Sequence, residues 1–218
     1  MSIPTDHQPY TASWPYRWMA RLLSYVFHPV FVPVYFIAFL LFEHPTQYQG
    51  FSDLQKLVIL VQALLMFTFF PLVTVGLLKA LGFIHSVHMH ERKDRIIPLV
   101  ASGIWYFWIW YVWRHIPDQS SVAIQFALGV WISSVVALML NTRMKISLHA
   151  MALGGVLALM VSLSLREDLY YGVWLSLTIL VTGAVSSARL LVSDHRPSEV
   201  YWGLLAGAAT VLVAGLFV

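Results

Sequence analysis

Seven apolar stretches of roughly membrane-spanning length succeed one another along this chain, at residues 23–42, 54–82, 96–114, 121–140, 146–165, 169–191 and 200–218. About 20 apolar residues in a helix cross the hydrocarbon core of a bilayer. Lipid cannot hydrogen-bond to exposed N–H and C=O groups, so the backbone must pair within helices or within a closed barrel. The ten-residue alternating segments of a membrane barrel are absent. The expectation is an all-α fold, a polytopic transmembrane bundle of six to seven membrane helices. Short connections such as Arg114–Ser120 and Leu165–Leu169 predict antiparallel neighbours.

Composition excludes several classes of function. Of 218 residues, 59% are hydrophobic and 11% are charged, against about 25% charged in soluble domains. The net charge of +3 is modest and no basic run resembles a nucleic-acid arm, so no nucleic-acid partner is expected. Cysteine is absent, which removes disulfides, thiol catalysis and thiolate metal sites. Met1–Arg21 carries Pro4, Pro9 and Pro15 and lacks the apolar core and cleavage site of a signal peptide. Residues 1–22 are therefore read as a retained polar, interfacial segment, and 23–218 as a single membrane domain. Pro29 and Pro33 predict a kink in the first stretch, or its partial placement in the interface. The second stretch is longer than a bilayer needs and is expected to tilt or break near Pro71. Gly154, Gly155, Gly183, Gly203 and Gly207 read as points of close helix packing.

Counting crossings places the polar clusters. If all seven stretches span, the loops after the second, fourth and sixth lie on one face. They hold 85–95, 141–145 and 190–199, so the suspicious polar groups share a side. That face also carries ten of the thirteen Lys and Arg: Arg17, Arg21, Lys79, Arg92, Lys93, Arg95, Arg143, Lys145, Arg189 and Arg196. The positive-inside rule makes that face cytoplasmic. A phosphate site needs cations wherever it faces, however. Without Arg92, Lys93, Arg95, Lys145 and Arg189 the count is five against three.

The clusters themselves supply complementary chemistry. Lys145-Ile146-Ser147-Leu148-His149 opens the fifth stretch, where unpaired N–H groups and the helix dipole favour an anion. Its ordinary alternative is a Ser cap, a snorkelling Lys and an interfacial His. Arg189, His195 and Glu199 bracket the turn into the seventh stretch. A carboxylate there can fix the imidazole tautomer and raise its basicity; the ordinary alternative is a polar turn. Arg92 and Arg95, three apart, share a face if the segment is helical, and guanidinium forks suit phosphate oxygens. A charged flank before a membrane helix is equally ordinary. His85, His88 and His90 are better read as a headgroup-level loop than as a metal site, which would need more ligands and orienting partners. Trp105–Trp113, seven of nine residues aromatic, reads as belt and lipid-facing packing, with a groove for a lipid tail as the alternative.

These residues carry a resemblance. The chain resembles the type 2 phosphatidic-acid phosphatase superfamily, which includes the vanadium haloperoxidases and carries Lys-x6-Arg-Pro, then Pro-Ser-Gly-His, then Ser-Arg-x5-His-x3-Asp. Ser147-Leu148-His149 matches Ser-Gly-His, and Arg189, His195 and Glu199 match the third motif. Phe27-His28-Pro29, with Lys-Ile-Ser-x-His and Ala-Arg-Leu, looks like a divergent bacterial branch. The chain departs from the pattern at Ile146 for Pro, Leu148 for Gly, Ala188 for Ser and Glu199 for Asp. Arg92-x2-Arg95-x2-Pro98 stands in for the first motif, with His88 in the place of its Lys.

The resemblance implies an integral membrane lipid-phosphate phosphatase that needs neither metal nor cofactor, in a bacterial inner (cytoplasmic) membrane. His195 would be the nucleophile forming a phosphohistidine, Glu199 its orienting carboxylate and His149 the acid to the leaving group. Arg189, Arg92, Arg95, Lys145 and Ser147 would bind the phosphate. The partner would be a lipid phosphate of the phosphatidate, phosphatidylglycerol phosphate or polyprenyl pyrophosphate class. Two alternatives stand beside it: a weak or inactive relative that binds or moves a phosphorylated lipid, and a transporter or channel. The sequence leaves the oligomeric state open.

Overall fold

Helices start where the sequence provides caps. Ser52 opens a helix with a reciprocal box: its Oγ accepts from the Gln55 N–H at 3.3 Å, and Gln55 Oε1 accepts from the Ser52 N–H at 2.8 Å. Ser120 and Ser147 each accept from the N–H three residues on, and Pro197 occupies a first turn, where its missing N–H costs nothing. The computed structural model describes residues 13–83, 95–167, 169, 171–192 and 195–218. They form α1 (Trp14–Val26), α2 (Val32–Phe42), α3 (Asp53–Ala63), a π-helical segment (Leu64–Phe69), α4 (Phe70–Ala80), α5 (Ile96–Trp113), α6 (Ser121–Asn141), α7 (Leu148–Arg166), α8 (Gly172–Val192) and α9 (Pro197–Ala214).

Among the described residues, six helices are long and apolar enough to cross a membrane: Asp53–Ala80 taken as one, and α5 to α9. Only 17% of α5 and of α8 is buried inside the protein. Faces as apolar as these, turned outward, require lipid as their solvent. The chain is an integral membrane protein built as a polytopic helical bundle.

The first apolar stretch is the exception to a simple crossing. It divides at the turn 27–31 into the end of α1 and the short α2, and the boundary drawn at residue 22 falls inside α1. Pro29 supplies no N–H, and Phe31 N and Val32 N both bond the His28 carbonyl instead. Thr68 Oγ1 donates to the Val30 carbonyl at 2.7 Å and pins this turn against the long helix. The predicted disturbance near Pro71 takes the form of the π segment. There the Phe70 N–H bonds Leu65 O, five residues back, and the helix continues without a break.

α7 and α9 pack with unusual closeness. A Cβ on Gly207 would lie 1.8 Å from Met151 O, one on Gly154 2.3 Å from Leu204 O, and one on Gly203 2.7 Å from Ser147 O. The Ser147 N–H also donates to Glu199 O at 3.2 Å, joining the starts of the two helices. Gly183 departs from the expectation, because nothing lies within 4 Å of its added Cβ.

Side-chain bonds also tie together the loops at the end away from these helix starts. His44 Nδ1 accepts from the Thr46 and Gln47 N–H groups at 3.3 and 3.4 Å, so the ring's proton sits on Nε2, facing Tyr171 Oη. Tyr171 donates to Glu167 Oε2 at 2.6 Å, and Gln47 bridges Glu167 to Ser120. The apolar core between the ends is built around Phe36, Ile37, Leu40, Phe67, Trp113 and Phe126.

Candidate active site

The α7–α9 clamp fixes two of the candidate residues before any ligand is considered. His149 is the second residue of α7, and His195 lies two residues ahead of α9. Packing the two helix starts together brings both imidazoles to one end of the bundle.

His195 is held by Glu199. Its Nδ1 lies 2.9 Å from Glu199 Oε2, with both side chains largely buried, at 3% and 12% exposure. The same carboxylate oxygen accepts the Arg196 N–H at 3.1 Å, so the turn itself orients the carboxylate. A carboxylate on Nδ1 places the proton there and leaves Nε2 as the lone-pair nitrogen. Burial pushes the His195 imidazole below its ordinary value. The Glu199 hydrogen bond opposes that shift, and the nearby Arg189 and Arg95 charges reinforce it. The ring is therefore neutral at pH 7, the state a nucleophile requires.

His149 is held by the backbone. Its Nε2 lies 3.0 Å from the Ser24 carbonyl of α1. A carbonyl can only accept, so Nε2 carries the proton and Nδ1 is free to take or give a second. The two histidines thus offer opposite ring nitrogens.

Both imidazoles, with Arg95, Arg189 and Leu148, line one cavity of about 340 Å3. The rest of the lining is mostly apolar and includes Val32, Pro71, Leu99, Tyr106, Phe126 and Val130. Arg95 Nη1 also donates to the Ile146 carbonyl at 3.1 Å, tying the start of α5 to the loop that carries Ser147 and His149. Burial works against the Arg95 charge, and the Glu199 carboxylate supports it. Two guanidiniums beside neutral imidazoles make a site for an anion.

The other sequence candidates fare differently. Ser147 is fully buried and serves as the cap of α7, with its Oγ accepting from Ala150 N at 3.5 Å. It is not among the residues that line the cavity. Lys145 is half-buried and is likewise not among the lining residues. Arg92 and the histidines at 85, 88 and 90 lie outside the described residues. Among the described residues, no three His, Asp or Glu side chains cluster as a metal site. Of the aromatic run at 105–113, Tyr106 alone faces the cavity. Trp113 is buried and donates to Gln62 Oε1 at 2.9 Å, whereas Trp108 points outward.

Sequence reasoning gave two contributors no place in the site, although His28 stood in the Phe27-His28-Pro29 run. The Ser24 carbonyl is a backbone atom and leaves no trace in side-chain identity. His28 lines the cavity beside His149; its signal was a titratable residue inside an apolar stretch. Compared with protein-family models, curated proteins and solved structures, the chain matches none.

Proposed function

We propose that this protein is a lipid-phosphate phosphatase working through a phosphohistidine, as the resemblance to the type 2 phosphatidic-acid phosphatase superfamily implies. One observation carries the reading: a carboxylate-held, neutral His195 shares a cavity with two guanidiniums and a second imidazole, and most of the other residues lining that cavity are apolar. The polar groups suit a phosphate and the apolar lining suits a lipid tail.

In this mechanism His195 Nε2 attacks phosphorus as the bond to the leaving oxygen breaks. His149, neutral in the empty cavity, takes a proton on Nδ1 when the phosphate binds and gives it to the departing alkoxide or phosphate. Its Nε2–H bond to the Ser24 carbonyl keeps the other ring nitrogen, Nδ1, turned to this task. Neutral again, His149 takes a proton from water, whose oxygen displaces His195 and releases inorganic phosphate. Arg189 and Arg95 neutralise charge on the equatorial oxygens. Acid–base assistance of this kind contributes about 10²- to 10⁴-fold. The proposed setting is a bacterial inner membrane.

Leu148 favours one other reading. It puts a side chain on the cavity wall where the resembled family has glycine, so the alternative is a relative that binds a phosphorylated lipid without hydrolysing it. The test is phosphate release by the detergent-purified protein from phosphatidate, phosphatidylglycerol phosphate and polyprenyl pyrophosphate. The phosphatase reading expects turnover of at least one, lost in His195→Ala while lipid binding persists. Turnover of none by folded protein, or undiminished turnover by His195→Ala, refutes it.

A further inference from the structure

His28 has no place in the mechanism above, yet the turn that carries it is held by several hydrogen bonds. It stands in the turn between α1 and α2, at the point where the first apolar stretch breaks. Its carbonyl accepts from Phe31 N at 2.8 Å and Val32 N at 3.2 Å, and the next turn residue, Val30, is anchored by Thr68. Because the backbone is fixed on both sides, the imidazole is held into the cavity. There its ring meets His149 edge to face, with centroids 5.3 Å apart and planes at 80°. The Val30 N–H points at its Nδ1 from 3.4 Å, so the ring's proton belongs on Nε2.

We propose that His28 is a phosphate-binding residue of this site, a neutral Nε2–H donor that adds a hydrogen bond to the anion held by Arg95 and Arg189. This inference rests on the phosphatase reading for the nature of the anion. The physical reason for a neutral donor lies in its neighbours. Two guanidiniums already share the cavity, and a further permanent cation would raise the cost of desolvating like charges before the anion arrives. An uncharged imidazole supplies a donor without that penalty. Burial, reinforced by the Arg189 charge, holds His28 down to about 4, so it stays neutral across the physiological range.

A donor and a packing residue respond differently to substitution. His28→Phe keeps the ring and its edge-to-face contact with His149 but has no N–H. His28→Gln loses the ring and keeps a donor. The full-length protein in detergent would be titrated with inorganic phosphate, with the rise in melting temperature as the readout, and melting without phosphate as the check on folding. The inference expects His28→Phe to weaken phosphate binding about 10- to 150-fold, the worth of one hydrogen bond to a charged group, and His28→Gln to stay near wild type. If Phe binds as wild type does and Gln is the weaker, His28 is a packing residue and the inference is overturned. It is equally overturned if the wild type binds no phosphate. Should His28→Phe fail to fold, His28→Leu takes its place against His28→Gln.

Lipid phosphate turnover by the wild type and His195→Ala, run alongside, keeps the two ideas separate. Phosphate binding that depends on His28, in a protein without turnover, sinks the phosphatase reading and leaves the His28 inference standing. Turnover with binding indifferent to His28 does the reverse.

Discussion

Replacing Glu199 with Gln removes the charge but keeps most of the shape of the group that holds His195. The pair is 2.9 Å apart and nearly dry, with exposures of 3% and 12%, so solvent does little to weaken it. A hydrogen bond to a charged group is worth about 1.5–3 kcal/mol. At 1.36 kcal/mol per factor of ten, its loss from the transition state lowers kcat/KM about 10- to 150-fold. The pH profile should move as well, and its direction is fixed. Glu199 supports the protonated form of His195 against burial and the arginine charges. Without it the imidazole is held lower still. Activity on the acid side, lost as His195 takes up a proton, should therefore persist to lower pH in Glu199→Gln than in the wild type. The assay is phosphate release from a lipid phosphate in detergent micelles, with kcat/KM measured from pH 4 to 8. An unchanged kcat/KM, or an acid limb that moves to higher pH, would refute the reasoning.

The other predictions concern stability, read from melting in detergent. Gly207→Ala forces a Cβ against Met151 O and should cost about 1–3 kcal/mol or more, the usual penalty of overpacking, with a matching loss of activity. Gly183→Ala meets nothing and should be neutral or stabilising by up to about 1 kcal/mol; equal melting temperatures for the two variants would contradict the clamp. Tyr171→Phe removes the hydroxyl between His44 and Glu167 and should cost about 1–3 kcal/mol. Its kcat/KM should stay within about twofold of wild type, because a substitution away from the site does not touch transition-state contacts. The fourth prediction concerns pH. His28 is lowered in the folded protein from 6.5 to about 4, so its stabilising contribution is complete above pH 6.5 and drains away as pH falls toward 4. The full contribution is at most about 3 kcal/mol; His28→Gln should flatten the fall in melting temperature over that window, and an unaltered fall would exclude His28 as its source.

The bundle was legible because lipid permits so few backbone solutions. Apolar length marked six helices long enough to cross and overreached only at 23–42, and the parity of crossings gathered Arg95, His149, Arg189 and His195 at one end before any contact was known. The His195–Glu199 pair was legible for a local reason: four residues through a Pro-led helix start bring a carboxylate back over the preceding turn. Ser147 was placed in the right loop with two tasks open to it. A serine ahead of an apolar run supports both capping and anion binding, and the demand of the α7 N–H groups decided for the cap. Gly183 misled because a glycine states that close approach is permitted, not that a neighbour takes up the offer. The π segment left no mark beyond Pro71, since the sequence shows the missing N–H but not how the helix absorbs it.

The Ser24 carbonyl is the hardest feature to foresee and the one that organises the rest. Its hold on His149 Nε2 means that a residue of α1, the helix before the first apolar break, selects which nitrogen His149 offers to the cavity. Glu199 does the same for His195 from α9, on the opposite ring nitrogen. A nucleophile and a proton donor acting on one phosphorus must not exchange roles, and two neutral imidazoles have no intrinsic preference. The asymmetry is imposed from outside the rings, by a carboxylate on one and a backbone carbonyl on the other. A carboxylate raises basicity and a carbonyl chiefly orients, so the carboxylate-backed ring is the better nucleophile and the carbonyl-backed ring gives up its second proton more readily. Roles assigned this way depend on α1 staying docked against α8. On the phosphatase reading, α1, which contributes only the Ser24 carbonyl to His149, is a determinant of which histidine does what.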